Sequence, residues 1–211
     1  MTDRLGIMHF VVGPVATNCY IAYNRDNNEA LIIDPGDSAK ALGDKIDEKG
    51  LKPVAILLTH GHFDHAGAAK ELAEKYNISV YAHEAEKETL DNPNINLSGP
   101  SMGAPVVYEA DEFVRDEQTL KLAGFNVRVL FTPGHTVGGC CFYLPEEDLL
   151  FSGDTLFCGS VGRTDFPKGS MSQLVNSIRT KLMVLPDNTV VLPGHDSDTT
   201  IEQERMYNPY L

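Results

Sequence analysis

Positive charge, cysteine and long apolar runs are all scarce in this chain, and each scarcity closes off a class of function. Seventeen Lys and Arg face 30 Asp and Glu in 211 residues, a formal net charge of −13. Binding to nucleic acid needs clustered Lys and Arg against phosphate, no such cluster is present, and acidity of this degree serves solubility. The four cysteines, Cys19, Cys140, Cys141 and Cys158, show no Cys-x-x-Cys spacing, and on a strand the adjacent pair would face opposite sides. They make no disulfide framework and read as buried free thiols in a reducing compartment. No apolar run approaches the roughly 20 residues that span a membrane, and Met1-Thr2-Asp3-Arg4-Leu5-Gly6 lacks the apolar stretch of a signal peptide. A cytoplasmic protein without a membrane partner is expected. With 42% hydrophobic and 22% charged residues, a chain of this length can bury a sizeable core.

What the chain does have is concentrated in Thr59-His60-Gly61-His62-Phe63-Asp64-His65, directly after the apolar run Val54–Leu58. Four of these seven residues can bind a metal. His60 and His62 are two apart, so on an extended segment leaving a strand both imidazoles fall on one side and can reach one ion. Gly61 lets the backbone bend, and Asp64 and His65, past the turn, would face a second ion. Four ligands divided between two ions leave both under-coordinated, so more ligands are predicted downstream. Three candidates follow short apolar runs in the same way: His135 after Val127–Phe131, Asp154 after Leu149–Phe151, and His195 after Val190–Leu192. Ligands released from strand ends by Gly or Pro are how a rigid sheet holds an open site.

Taken in order, Ile7–Val12, Cys19–Tyr23 and Ala30–Ile33 read as an antiparallel start, and Ala39, Leu42 and Ile46 mark one face of a helix ending near Gly50. Ala66, Ala69, Leu72, Ala73 and Tyr76 mark the helix after the metal motif. Ser79–Ala82 is a short strand, and an acidic helix runs from Glu84 to about Leu90. His83 belongs to no motif and reads as structural. The Pro-, Asn-, Ser- and Gly-rich segment from Asp91 to Pro105 is a loop, a wall beside the site. The charges between Glu109 and Glu117 read as a solvated face. Leu120–Leu122, Val127–Phe131, Gly139–Tyr143, Leu149–Phe151 and Val190–Leu192 are strand-like. A helix from Ser170 to Leu182 has a Ser170/Gln173 capping box and a stripe of Met171, Leu174, Val175, Ile178 and Leu182, with Met171 in the core. A short helix from about Thr200 to Arg205 follows, with no further domain expected after it. The pattern predicts one α/β (α+β) domain over residues 1–211, in two loosely repeated halves of about 1–105 and 106–211, with two sheets packed together and helices outside.

His60-x-His62-x-Asp64-His65 followed by His135, Asp154 and His195 resembles the metallo-β-lactamase superfamily, from about Leu31 to His195. Gly153-Asp154-Thr155-Leu156-Phe157 and Gly159-Ser160-Val161-Gly162-Arg163-Thr164-Asp165-Phe166 most resemble its glyoxalase II-like hydrolases, particularly the compact single-domain bacterial type. The resemblance implies a four-layer αββα sandwich of two mixed sheets, with metals at the open edge between them. It implies that His60, His62 and His135 bind one metal, that Asp64, His65 and His195 bind a second, and that Asp154 bridges. Asp34, at a strand end, is implied as a support behind the ligands, against the plain reading of a turn-forming Asp. Arg163 stands where glyoxalase II relatives hold a glutathione carboxylate, although it could equally pair with Asp165. The latter replaces an aromatic residue common at that position, and the C-terminal helical domain that supplies further glutathione contacts in those relatives is not expected here. Cys158, four residues after Asp154, reads as a small loop residue.

A site of this kind lowers the pKa of bound water to about 7 and stabilises the oxyanion formed at a carbonyl. A thiol leaving group with pKa near 8.5 departs without a general acid, and none is evident outside the ligands. The expectation is a two-metal thioester hydrolase acting through a metal-bridging hydroxide on a small-molecule substrate, with Asp64 and Asp154 as catalytic carboxylates. Zinc is the first choice, and Fe or Mn suits the same ligands. Two alternatives stand beside it. One is a one-iron persulfide dioxygenase, which has a similar Gly-Arg-Thr-Asp-Phe loop. The other is a non-catalytic metal-binding protein, disfavoured because structural zinc sites are closed and Cys-rich. Asp154 in place of Cys or Ser argues against a β-lactamase.

Overall fold

In the computed structural model, which describes residues 3–211, an antiparallel meander of β1 (Leu5–Val12), β2 (Thr17–Asn24) and β3 (Glu29–Ile33) comes first. Helix α1 (Ala39–Lys49) carries the chain back so that β4 (Lys52–Leu57) lies parallel to β3. Helices α2 (Phe63–Ala66) and α3 (Ala69–Tyr76) lead to β5 (Ser79–His83), and α4 (Lys87–Asp91) and α5 (Ser98–Met102) to β6 (Glu112–Val114), both strands again parallel to their neighbour. The second sheet begins as a meander of β7 (Thr119–Leu122), β8 (Phe125–Phe131), β9 (Cys140–Leu144) and β10 (Leu149–Gly153). A small hairpin, β11 (Leu156–Phe157) and β12 (Ser160–Val161), and helix α6 (Met171–Ser177) return the chain to β13 (Val190–Pro193), parallel to β10. A short β14 (Thr199–Thr200) and α7 (Ile201–Tyr207) follow. The sheet orders are β1-β2-β3-β4-β5-β6 and β14-β13-β10-β9-β8-β7.

Alternation along the strands produces the layers. On β2, β3 and β4, Ile21, Ile32 and Ile56 point to one side and meet Leu42 and Ile46 of α1 and Leu72 of α3. Their neighbours Tyr20, Ala22, Leu31, Ile33, Ala55 and Leu57 point the other way, against Val127, Val129, Phe142, Leu149 and Phe151 of the second sheet. The far face of that sheet, through Leu130, Tyr143, Leu150 and Val191, packs on Leu174, Ile178 and Leu182 and on Ile201 of α7. Helix, sheet, sheet, helix is the resulting order, as the period-2 strands and 3.6-period helices require. The adjacent cysteines obey the same rule: Cys140 lies between the sheets and Cys141 under the outer helices.

Three details differ from the sequence expectation. Met171, expected in the core, is 41% exposed at the start of α6; as the first helical residue it stands before the turn that Leu174 buries. The charges between Glu109 and Glu117 are exposed, as expected, but the stretch also contains β6, a strand the sequence did not announce, whose Val114 reaches the layer between the sheets. A strand of three residues with a single buried side chain is too short to show alternation. Ser98–Met102, expected as loop, forms one helical turn. His83 is structural: its ring stacks on Phe131 at 4.2 Å, and its Nδ1 accepts the Ala85 N–H. No helix among the described residues is long and apolar enough to cross a membrane.

Candidate metal centre

The parallel strands of both sheets end on one edge of the sandwich. Ile33 of β3 runs into Asp34, Leu57 of β4 into Thr59–His65, Gly153 of β10 into Asp154, and Pro193 of β13 into His195. The loop after Phe131 of β8 adds His135. Ligands outside the carboxyl ends of strands are where an open α/β sheet places a site. The register of β10 against β13 shifts between Phe151 and Gly153, a bulge that re-aims the chain just before Asp154.

Seven side chains predicted from the sequence converge here. His60 Nε2 and His135 Nε2 each lie 3.0 Å from His62 Nδ1. Three nitrogens at this spacing surround a point that an ion about 2.0–2.1 Å from each could occupy. His65 Nε2 lies 3.5 Å from Asp64 Oδ2 and 3.4 Å from Asp154 Oδ1, and His195 Nε2 lies 3.3 Å from Asp64 Oδ2. Asp154 stands between the two sets: its Oδ2 is 3.5 Å from His135 Nε2 and 3.6 Å from His195 Nε2. Among the described residues, His60/His62/His135, His60/His65/Asp154 and Asp64/His65/His195 each bring their donor atoms within 4.8 Å of one another.

Atoms without partners test whether a metal fits. His65 Nε2 and Asp154 Oδ1 are buried and make no hydrogen bond. Buried polar atoms without partners cost about 1–3 kcal/mol each, so two of them aimed at one another across 3.4 Å fit a cation between them. The donor set, imidazole and carboxylate, suits a borderline divalent ion.

Hydrogen bonds behind the ligands set their tautomers. His65 Nδ1 donates to Asp34 Oδ2 at 3.0 Å, and His135 Nδ1 donates to the Arg163 carbonyl at 2.7 Å, which leaves each Nε2 lone pair facing inward. Thr59 Oγ1 donates to Asp34 Oδ2 at 2.6 Å and therefore accepts from His60 Nδ1 at 3.2 Å. Asp34 also accepts the Thr59 N–H. One buried carboxylate thus contacts His65 directly and His60 through Thr59, the supporting place that the family resemblance implied for Asp34 and that a mere turn-forming Asp would not fill.

Charge in the site is divided. Burial and the neighbouring imidazoles hold His60 well below the ordinary histidine range, and burial with His135 takes His62 down to about 3. Burial opposes charge on His65 and His195 too, yet the carboxylates of Asp64 and Asp154 outweigh it and raise both. Burial would raise Asp64, but His65 and His195 draw it down to about 2, and His65 and its neighbours likewise lower Asp154. Both carboxylates are therefore ionised at neutral pH.

Other contributors carry no ligating pattern. Thr17 Oγ1 donates to Asp64 Oδ2 at 2.9 Å. Asn18 binds the His195 loop three times, by its N–H to Gly194 O and by Nδ2 to Pro193 O and Asp196 O; Tyr20 Oη also reaches Pro193 O. Polar Thr17-Asn18 opening an otherwise apolar strand was the available signal. Glu86, fully buried, accepts the Gly61 N–H and the Thr136 hydroxyl, and so joins the loops of His62 and His135. It lay unmarked among the charges of an acidic helix. Gly194 is required by contact: a Cβ there would sit 2.3 Å from Asp154 Oδ1 and 2.6 Å from the His65 ring.

The ligands open into a cavity of about 890 Å³ walled by Leu97, Met102, Phe157, Val161 and Phe166. The expected loop wall is thus present, supplied by Leu97 and α5. Arg163 also lines the cavity, with its guanidinium against Asp165 (Nη2–Oδ2 2.7 Å); both are exposed. Cys158 is exposed on the hairpin and outside the ligand cluster.

The profile of the metallo-beta-lactamase superfamily matches residues 12–195. YqgX of Bacillus subtilis, named as a metallo-hydrolase, is 43% identical over 95% of this chain and 94% of its own. The hydroxyacylglutathione hydrolase GloC of Haemophilus influenzae is 40% identical over 92% of each chain. Among solved structures, the BLEG-1 B3 metallo-beta-lactamase superposes with a TM-score of 0.92 at 41% identity, covering 97% of this chain and 99% of its own. A di-iron-bound form of TTHA1623 gives 0.84 at 36%, over 97% and 100%; ETHE1 from Myxococcus xanthus gives 0.80 at 28%, over 97% and 83%.

Proposed function

This chain belongs to the metallo-β-lactamase superfamily, and within it we propose that it is a two-metal thioester hydrolase. The observation that carries the reading is the place of Asp154, one carboxylate within 3.6 Å of imidazoles from both ligand sets. His60, His62 and His135 would hold one divalent ion and Asp64, His65 and His195 the other, with Asp154 shared. Zinc is the proposed ion; the di-iron form of TTHA1623 makes iron the alternative. Ions held there would supply Lewis acidity toward a carbonyl oxygen and lower the pKa of water to about 7.

The rest of the chemistry belongs to the chain's own residues. Asp64, ionised and fixed by Thr17, is an acceptor for the attacking water and not an acid. Phe157, Val161, Phe166 and Leu97 give the cavity an apolar face, and an acyl group lying on it would displace water from beside the ligands, which would strengthen the charge interactions there. A thiolate with pKa near 8.5 leaves without a proton donor, so the reaction requires no general acid beside the ligand set. GloC hydrolyses a thioester of this type by its name, and it aligns over 92% of both chains.

The test is hydrolysis of simple acyl-thiols by wild type and by Asp154→Ala. A fall of at least about a hundredfold, the scale of losing one electrostatic stabiliser, is expected; equal rates would remove thioester hydrolysis as the function. A second reading, an iron persulfide dioxygenase, draws on the likeness to ETHE1, and oxygen uptake with a persulfide distinguishes it. Likeness to BLEG-1 places a β-lactam in the same substrate panel.

A further inference from the structure

Among the described residues that line the cavity, Arg163 is the one that carries a permanent positive charge. Acid groups are there in number: Asp64, Asp154 and Asp196 line the same space, in a chain of net charge −13. Outside the ligand set, a substrate carboxylate entering this cavity would therefore find its counter-charge at Arg163.

Arg163 is already engaged on three sides. Its Nε and Nη2 donate to the two carboxylate oxygens of Asp165, each at 2.7 Å, the parallel two-bond geometry by which guanidinium groups recognise carboxylates. One face of the guanidinium lies 4.0 Å from the centre of the Phe166 ring, and Phe166 in turn meets His62 edge-on at 5.7 Å. The Arg163 carbonyl accepts from His135 Nδ1. The backbone of this residue therefore serves the ligands, while its side chain is held against the cavity wall with its fork filled. The pairing with Arg163 draws the Asp165 carboxyl down to about 2, so the occupant stays charged at neutral pH.

We infer that Asp165 is a specificity determinant: it occupies the Arg163 fork as a resident carboxylate, and so turns the cavity toward neutral thioesters and against carboxylate-bearing ones. The inference rests on the thioesterase reading for its substrate class. Its physical content is a competition. To take the Nε/Nη2 edge of the guanidinium, an incoming carboxylate must displace Asp165, which is tethered two residues from Arg163 and so competes at an effective concentration that a free ligand at ordinary concentrations does not reach; a carboxylate on the remaining Nη1 side would share an already neutralised cation. A neutral acyl-thiol meets Phe166 and the apolar wall without disturbing the pair. Both side chains are more than half exposed, so the pair has the modest strength of a surface ion pair, and the expected discrimination is about two- to fivefold.

The test uses the metal-loaded, full-length protein and two thioesters that differ in one group: S-acetyl-N-acetylcysteamine, which is neutral, and S-acetyl-3-mercaptopropionate, which ends in a carboxylate. Asp165→Asn keeps the size of the side chain and removes its charge. KM for the carboxylate-bearing ester should fall about two- to fivefold relative to KM for the neutral ester. In Arg163→Gln/Asp165→Asn the selective gain should vanish, because the fork itself is gone. Dissociation constants of the matching S-acetonyl thioethers, which cannot be hydrolysed as thioesters, are measured on the same proteins by NMR. If wild type hydrolyses neither ester, the thioesterase reading falls, and the thioether constants still decide the role of Asp165. Equal changes for both ligands, no change, or a gain that persists in the double variant would each overturn the inference. The last of these would trace the effect to the overall loss of negative charge.

Discussion

Single residues decide whether the ligands are presented correctly, and Asp34 does most for its size. Its carboxylate receives the Thr59 N–H, the Thr59 hydroxyl and His65 Nδ1. Asp34→Ala strands those donors while leaving every candidate ligand in place, so metal affinity should fall about 10- to 100-fold, as for other supports behind metal ligands. A chelator titration followed by elemental analysis reads this, and unchanged affinity would show that the two imidazoles are positioned without Asp34. A second prediction at this scale concerns the thiols. Burial raises Cys19 and Cys140 and takes Cys141 up to about 11, whereas Cys158 is exposed. Thiolate is the reactive form, so a maleimide at pH 7.5 should label the native protein once, at Cys158, and peptide mapping locates the label. Labelling of Cys140 or Cys141 before unfolding would contradict the packing described.

Elements contribute through their ends. The candidate ligands of His60–His65, His135, Asp154 and His195 were legible in the sequence because each group follows an apolar run and has a Gly or Pro beside it, a pattern that local chemistry fixes. What was not legible lies on the other side of a fold-level contact. From β2, Thr17 holds Asp64 across 47 positions, and Asn18 and Tyr20 hold the His195 loop across 175 and 173, and no spacing rule reaches that far. Glu86 was one charge among several in an acidic helix until the fold buried it between two loops. The strand β6 failed to announce itself because three residues contain no period. Gly194 gives the sharpest test of how closely these ends are packed. Gly194→Ala places a methyl group against Asp154 and His65, so bound metal should be lost or halved while circular dichroism stays native. Full metal content in that variant would mean that the β10 and β13 ends can separate at little cost.

At the scale of the molecule, two sheets share one apolar layer and the candidate centre lies at its open edge. The layer and the centre should therefore be thermally coupled, since a ligand that binds only the folded state adds stability, about 2.7 kcal/mol at a concentration 100 times its Kd. Removing metal with a chelator should lower Tm, and returning zinc should restore it. Phe142→Ala, which empties a fully buried position between the sheets, should cost about 3–5 kcal/mol in chemical denaturation, far more than any ligand-loop variant. The layer order followed from strand and helix periods; the identity of the reaction does not follow from the fold, which hosts several chemistries. That identity rests on the centre, and one measurement addresses it most directly: metal content of protein purified without added metal, with thioester hydrolysis and persulfide-dependent oxygen uptake assayed on the same sample. About two ions per chain with hydrolysis and no oxygen uptake is the predicted result. About one iron per chain with oxygen consumption and no hydrolysis would contradict the account and leave Asp64, His65 and His195 without an ion to hold.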